Sequence, residues 1–172
     1  MEAITHIIMG IFIQNLCFKY MVFPYNIIFT IIFAFFSHFI VDAFAKITYH
    51  TPEPHKEDKF WVVWHIITYA LALVVAVWMM IIGMFLFYLL GAIFANFVDI
   101  WDWLILRPTQ RKKQKENPES NWGEKFFIHP LIDKFRDKTL FWLPNWNYER
   151  KGIIPEIITL ISLWILTVLF QI

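Results

Sequence analysis

The sequence has few charged residues and a single cysteine, and both shortages limit what the chain can be. Only 17% of its 172 residues are charged, whereas soluble domains carry about 25%. The deficit falls in long uncharged runs, which exclude an ordinary soluble domain and predict an integral membrane protein. The lone Cys17 excludes an intramolecular disulfide and any all-cysteine metal site.

Several common motifs are also missing. The sequence shows no Ser-His-Asp arrangement, no phosphate-binding glycine loop and no nucleic-acid motif, so we expect no nucleic-acid partner. The first residues, Met1-Glu2-Ala3, include neither a basic n-region nor a cleavage site. We therefore expect the first apolar run to be retained rather than removed as a signal peptide.

Hydrophobic residues make up 59% of the chain, and their distribution predicts an all-α membrane protein. A helix needs ~20 apolar residues to cross the ~30 Å hydrocarbon core of a bilayer. As one helix, the run 60–106 would be ~70 Å long, so it must fold back, and we place the turn at Gly83. The result is a single integral membrane domain, 1–172, with five transmembrane helices. The predicted spans cover residues about 4–18, 26–45, 60–82, 84–106 and 152–172.

The basic residues predict the orientation of these five spans. With five spans, the N-terminus, the loop 46–59 and the loop 107–151 lie on the same side of the membrane. Of the 15 lysines and arginines, all except Lys19 lie on that side. Because cytoplasmic loops are enriched in basic residues, the N-terminus is predicted to lie inside and the C-terminus outside. An even number of spans would destroy this asymmetry.

The predicted cytoplasmic loop 107–151 has two parts. The charge run 111–116 is interpreted as a juxtamembrane loop that meets anionic lipid headgroups. The second part repeats apolar residues at helical spacing, which is typical of an amphipathic segment lying in the interface. We expect Phe127, Leu131 and Phe135 to face the membrane or the bundle as a partial lid.

Ionisable residues inside the spans all lie at one predicted depth. At 1.5 Å per residue, they fall roughly 6–12 Å from the cytoplasmic boundary. Two structural explanations compete with a functional one: polar side chains near helix ends can snorkel or cap, or they can form a hydrogen-bond network that holds the bundle together. Intramembrane ionisable groups usually mark a functional site. The residues in this layer are His6, His38, Asp42, His65, Asp99, Asp102 and Glu156.

This set of side chains suits a metal ion. Imidazole and carboxylate groups bind zinc, iron or manganese, and a spare carboxylate can act as the base on metal-bound water. His38 and Asp42 share one helix face because they are spaced i and i+4. We predict the ligands His38, Asp42, His65 and Asp99, with zinc preferred over iron or manganese. Asp102 is predicted as the base or a fifth ligand, and His6, Glu156 and His129 as supporting groups around the ligands.

Three short motifs resemble a known family. The segments Thr5-His6-x3-Gly10, Ser37-His38-x3-Asp42 and Gly91 leading to Asp99-x2-Asp102 resemble the small bacterial YdjM-like membrane proteins, described as LexA-regulated, membrane-bound metal-dependent hydrolases. The resemblance implies a metal-dependent hydrolase in the bacterial inner membrane.

The chain departs from that family's pattern in three places. Val98 stands where the family has proline, Trp103 where it has histidine, and a His-Arg-Gly-x-Thr-His-Ser segment is absent. His129-Pro130 is the candidate substitute for the missing histidine. The run His38-x3-Asp42-x-Phe44, followed by Lys59 and His65-x3-Tyr69, also resembles an uncharacterised family with paired H-x3-D helices.

We therefore expect a hydrolase that acts near the cytoplasmic leaflet of the plasma membrane on a lipid or lipid-linked phosphate. A transporter or ion-binding module is the first alternative, because the same carboxylates could carry a proton or a cation. A non-catalytic subunit of a membrane assembly is the second, since nine Trp and nineteen Phe give the chain a large aromatic surface. Membrane lipid is the expected partner, and the sequence leaves the oligomeric state open.

Overall fold

A computed structural model describes residues 1–49, 57–117 and 122–171, and these form an all-helical protein. His50 and His55 of the predicted loop 46–59 lie outside the described residues. The seven helices are α1 (Ala3–Tyr20), α2 (Tyr25–Phe44), α3 (Lys59–Ile81), α4 (Phe85–Ala95), α5 (Phe97–Glu116), α6 (His129–Thr139) and α7 (Ile153–Leu169). Short 3-10 turns cover Ala45–Ile47, Glu124–Phe126 and Arg150–Gly152.

Four helices are long and apolar enough to cross a membrane, and a fifth span is formed if the bent pair α4 and α5 counts as one. Helices α1, α2, α3 and α7 each meet this test, α2 and α7 together with their adjoining 3-10 turns. The upper count agrees with the five predicted spans. The inside and outside assignment of the ends stays a prediction.

The turn at Gly83 is confirmed. Helix α3 ends at Ile81 and α4 begins at Phe85. Gly83 adopts φ 70°, a left-handed conformation that glycine reaches without a steric penalty. The long apolar run therefore reverses where its glycine permits it.

Within the predicted span 84–106 the chain bends by 66° between α4 and α5. At the bend, the Asn96 side chain donates a hydrogen bond to the Ala92 carbonyl at 2.8 Å. An asparagine side chain bonded to the backbone in this way competes with the helical ladder. After the bend, α5 winds as a π-helix over Ile100–Leu106 and continues as an α-helix to Glu116. The charge run 111–116, predicted as a loop, is therefore helical.

Helices α1 and α4 approach each other closely at Gly10 and Gly91. A Cβ atom added to either glycine would overlap the other's backbone carbonyl group. Small residues allow helices in membranes to approach this closely. The contact lies one turn from His6 on α1, so it fixes the distance of that histidine from the neighbouring helices.

Replacing Gly10 by alanine is expected to destabilise the bundle by about 1–3 kcal/mol, the usual effect of overpacking. The new methyl group would meet backbone atoms, which cannot move aside as a side chain can. Thermal unfolding in a neutral detergent measures the loss. Ala70→Val, which adds bulk at an exposed position of α3, is the control and should leave the midpoint unchanged. An unaltered midpoint in Gly10→Ala would contradict the close approach.

Helix α6 packs across α2 and covers one end of the bundle. Ile132 is its buried contact, only 1% exposed, whereas Leu131 and Phe135 are 61% and 48% exposed. Phe127, just before the helix, lines a cavity beneath it. Of the three predicted lid residues, Phe127 therefore faces the bundle, and Leu131 and Phe135 present an apolar outer surface.

Candidate metal centre

Helix α2 supplies the first two groups of the centre. His38 is fully buried and Asp42 is 8% exposed. Their i and i+4 spacing places His38 Nε2 3.1 Å from Asp42 Oδ2. The two atoms do not meet hydrogen-bond geometry, so His38 Nε2 is a buried nitrogen without a hydrogen-bond partner among the described residues.

Helix α1 adds His6, which is 1% exposed. Its Nε2 is hydrogen-bonded to Asp42 Oδ1 at 3.1 Å, and its ring stacks on that of His38 with centroids 4.1 Å apart. The Met1 amino group donates to the same oxygen at 2.8 Å. Asp42 Oδ1 is thus held from two sides, which leaves Oδ2 facing His38.

The bend after α4 determines the tautomer of His38. The last carbonyl groups of a helix have no partner within it, and the Ala95 carbonyl at the end of α4 lies 2.8 Å from His38 Nδ1. A carbonyl only accepts hydrogen bonds, so Nδ1 must carry the proton. In the neutral ring, Nε2 then directs a lone pair at the Asp42 carboxylate.

His129, the first residue of α6, is fixed in the same way. Asp102 is 1% exposed, and its Oδ2 lies 2.7 Å from His129 Nδ1. The same carboxylate accepts hydrogen bonds from the backbone N–H groups of Ile128 and His129, each at 2.8 Å. Because the Nδ1 proton is committed to Asp102, His129 Nε2 faces the remaining carboxylates.

Four donor atoms from α2, α5 and α6 lie near one another, each histidine nitrogen facing two carboxylate oxygens. His38 Nε2 lies 3.1 Å from Asp42 Oδ2 and 4.0 Å from Asp99 Oδ1. His129 Nε2 lies 3.6 Å and 3.2 Å from the same two oxygens. Ligands bound tetrahedrally to zinc at ~2.0–2.1 Å are ~3.3–3.4 Å apart. Three of the four distances lie within about 0.3 Å of that spacing, and the fourth, from His38 Nε2 to Asp99 Oδ1, is longer.

The potential ligands form two overlapping groups. One comprises His6, His38 and Asp42, and the other His38, Asp99 and His129. We call these five residues the His/Asp cluster. Its buried histidines and aspartates could hold a metal ion, and His38 belongs to both groups.

The carboxylates also act on the proton affinity of His129, which lies outside the membrane-spanning segments. Burial opposes a charge on the ring, but the carboxylates of Asp99, Asp102 and Asp42 outweigh it and raise the pKa of His129 to about 9. A positive charge at Nε2 is therefore favoured, whether a proton or a metal ion provides it.

Two predicted ligand positions differ from what the structure places at the cluster. His65 is not among its residues: its Nε2 lies 3.7 Å from Glu2 Oε1 and its Nδ1 2.8 Å from the Trp61 carbonyl. Asp102, predicted as base or fifth ligand, instead hydrogen-bonds the ring and the backbone of His129. His129, predicted as a supporting group, presents Nε2 to the donor set.

Glu156, another predicted supporting group, lies away from the cluster on the other side of α1. It is fully buried, and its Oε1 accepts hydrogen bonds from Thr5 Oγ1 at 2.5 Å and from the Glu2 backbone at 3.2 Å. Glu156 thus ties α7 to α1.

Sequence reasoning missed His129 as a candidate ligand and the Ala95 carbonyl as the group that orients His38. One signal pointed to His129, namely a His-Pro pair at a helix start followed by apolar helical spacing. No signal in the sequence identified the carbonyl, because it becomes available only where the helix breaks.

A cavity of about 1050 Å³ gives access to the cluster. Asp42, Asp99 and His129 line its wall, while His38 does not. An ion held by the four donor atoms would therefore be reached from the cavity on the side of the two carboxylates and His129.

No family model, curated protein or solved structure matches the chain. The sequence and the geometry define its class: a helical protein with four to five candidate membrane spans and buried His/Asp groups that could bind a metal ion.

Proposed function

We propose that the protein is a metal-dependent hydrolase of the plasma membrane that acts at headgroup depth on a lipid or lipid-linked phosphate. His38, Asp42, Asp99 and His129 would hold one divalent ion, with zinc preferred over iron or manganese because imidazole and carboxylate donors at this spacing suit it.

One observation carries this proposal. The Nδ1 protons of His38 and His129 face acceptors, the Ala95 carbonyl and the Asp102 carboxylate, so both Nε2 atoms point toward carboxylates at 3.1 Å and 3.2 Å. Each Nε2 therefore needs a positive charge between itself and the carboxylate, which a second ring proton or a metal ion can supply, and we propose that a metal ion supplies it. The arrangement of Asp102 and His129 is also the carboxylate–histidine pairing that orients metal ligands in proteins.

A hydrolase needs one coordination position for water, whereas four protein ligands fill a tetrahedron. Asp42 is the ligand best placed to make way for it, because the hydrogen bond with His6 would keep its carboxylate in the site through Oδ1. Its Oδ2 would then be free to act as the base on water. A bound divalent ion lowers the pKa of that water to ≈ 7 in known hydrolytic sites.

The test is the metal content of the purified protein. We expect close to one equivalent of zinc, iron or manganese after purification in a neutral detergent, measured by mass spectrometry. Chelation should remove the ion, and zinc should restore it. Protein that binds none of the three metals, before or after reloading, would refute the proposal. Gradient-driven uptake of a cation into liposomes would instead support a transporter.

A further inference from the structure

The cavity that reaches the His/Asp cluster also contains two arginines, Arg107 and Arg136. They differ in their partners. Arg136 forms ion pairs with Asp133 at 2.9 Å and with Asp137 at 3.6 Å. Its charge is therefore balanced by its own helix.

Arg107 has no such balance. No carboxylate lies within ion-pair distance of it in the part of the chain that the structure describes, and its buried Nε has no hydrogen-bond partner there. The guanidinium instead lies 4.8 Å from the ring of Trp103 and 5.5 Å from that of Phe127. These cation–π contacts fix the group in place without using its hydrogen-bond donors.

Three features therefore line the same cavity. They are the guanidinium of Arg107, whose hydrogen-bond donors are unused among the described residues, the rings of Trp103 and Phe127, and part of the His/Asp cluster. A guanidinium fork matches the oxygens of a phosphate, and the rings of Trp103 and Phe127 suit the apolar part of the same molecule.

We infer that Arg107 is the phosphate-binding residue of the site and that its ligand is a phosphomonoester lipid. The inference rests on the proposed function, whose substrate class it narrows. In the reaction, water would add to phosphorus and the bond between phosphorus and the lipid oxygen would break. The lipid alcohol would take up the proton released by the water, and inorganic phosphate would leave as the second product.

Binding of defined probes to the full-length, zinc-loaded protein in a neutral detergent tests this inference. The probes are dihexanoyl phosphatidic acid, dihexanoyl phosphatidylcholine and inorganic phosphate, titrated by calorimetry. We expect phosphatidic acid to bind most tightly. Arg107→Gln should weaken the binding of phosphatidic acid at least about tenfold, as the loss of a charge-assisted hydrogen bond does. Arg111→Gln, an exposed arginine one turn further along α5, is the matched control and should bind like the wild type.

Metal content, measured on the same samples, separates the two proposals. Unchanged phosphatidic acid binding in a metal-loaded Arg107→Gln protein would overturn the role of Arg107 and leave the proposed function intact. A wild-type protein without metal would overturn the proposed function itself. Inorganic phosphate binding as tightly as phosphatidic acid would overturn the lipid assignment. If Arg107→Gln does not fold, Arg107→Lys retains the charge and stem but loses the planar fork, so weaker binding supports the inference and equal binding refutes it.

Discussion

Replacing His38 with glutamine is expected to abolish metal binding. His38 belongs to both potential ligand groups of the cluster, so its loss leaves neither group complete. Glutamine retains a hydrogen-bonding group of similar length but has no imidazole lone pair for a metal. We expect an affinity loss larger than the ~10–100-fold that removal of an outer supporting partner produces, measured by competition with a chromogenic chelator.

His65→Gln is the matched control for this variant. The sequence predicted both histidines as ligands, but the structure places His65 beside Glu2 and Trp61. The His65→Gln protein should therefore bind the metal with wild-type affinity. Equal losses in the two variants would show that His65 belongs to the site after all. A metal-loaded His38→Gln protein would rule out the site as described.

Asp102→Asn is expected to weaken metal binding by ~10–100-fold, the usual effect of losing the carboxylate that orients a histidine ligand. The Asp102 carboxylate accepts three short hydrogen bonds from the ring and backbone at the start of α6. An asparagine side chain can place an NH₂ group against Nδ1, which favours the tautomer with its proton on Nε2. His129 would then turn a proton rather than a lone pair toward the ion.

Two measurements separate this effect from general destabilisation. The nitrogen chemical shifts of His129, assigned by comparison with His129→Gln, should show the change of tautomer in folded protein. Asp137→Asn, an exposed aspartate on the same helix, is the control and should bind metal as the wild type does. If Asp102→Asn retained both the tautomer and the affinity, the orienting role of Asp102 would be disproved.

The long apolar runs and the glycine between them were sufficient to predict helices α1, α2, α3 and α7. Hydropathy places the ends of α1, α2 and α3 within a few residues because each span must match the thickness of the bilayer. The pairing of His38 and Asp42 follows from helix geometry alone. Their proximity to Asp99 was predicted from shared depth, which limits each group to one layer of the bundle.

Depth does not determine which way a helix is turned about its axis, and the prediction for His65 depended on that rotation. Helix α3 directs His65 toward Glu2, although the depth predicted for it matches that of Asp42. The bend at Asn96 depends on one side chain competing with the backbone, which a hydropathy pattern does not register. His129 reaches the cluster only because α6 folds back over α2, and helical spacing within α6 carries no information about that contact.

The position of His129 also affects how the protein is made. During synthesis, His38 and Asp42 enter the membrane first, and His129 emerges from the ribosome several seconds later at ~5–20 residues per second. Until then, the two aspartates of α2 and α5 lack one of their cationic or metal-binding partners. The last polar contact of the centre thus forms after α1 to α5 have been made, so docking of α6 is the step that completes the His/Asp cluster.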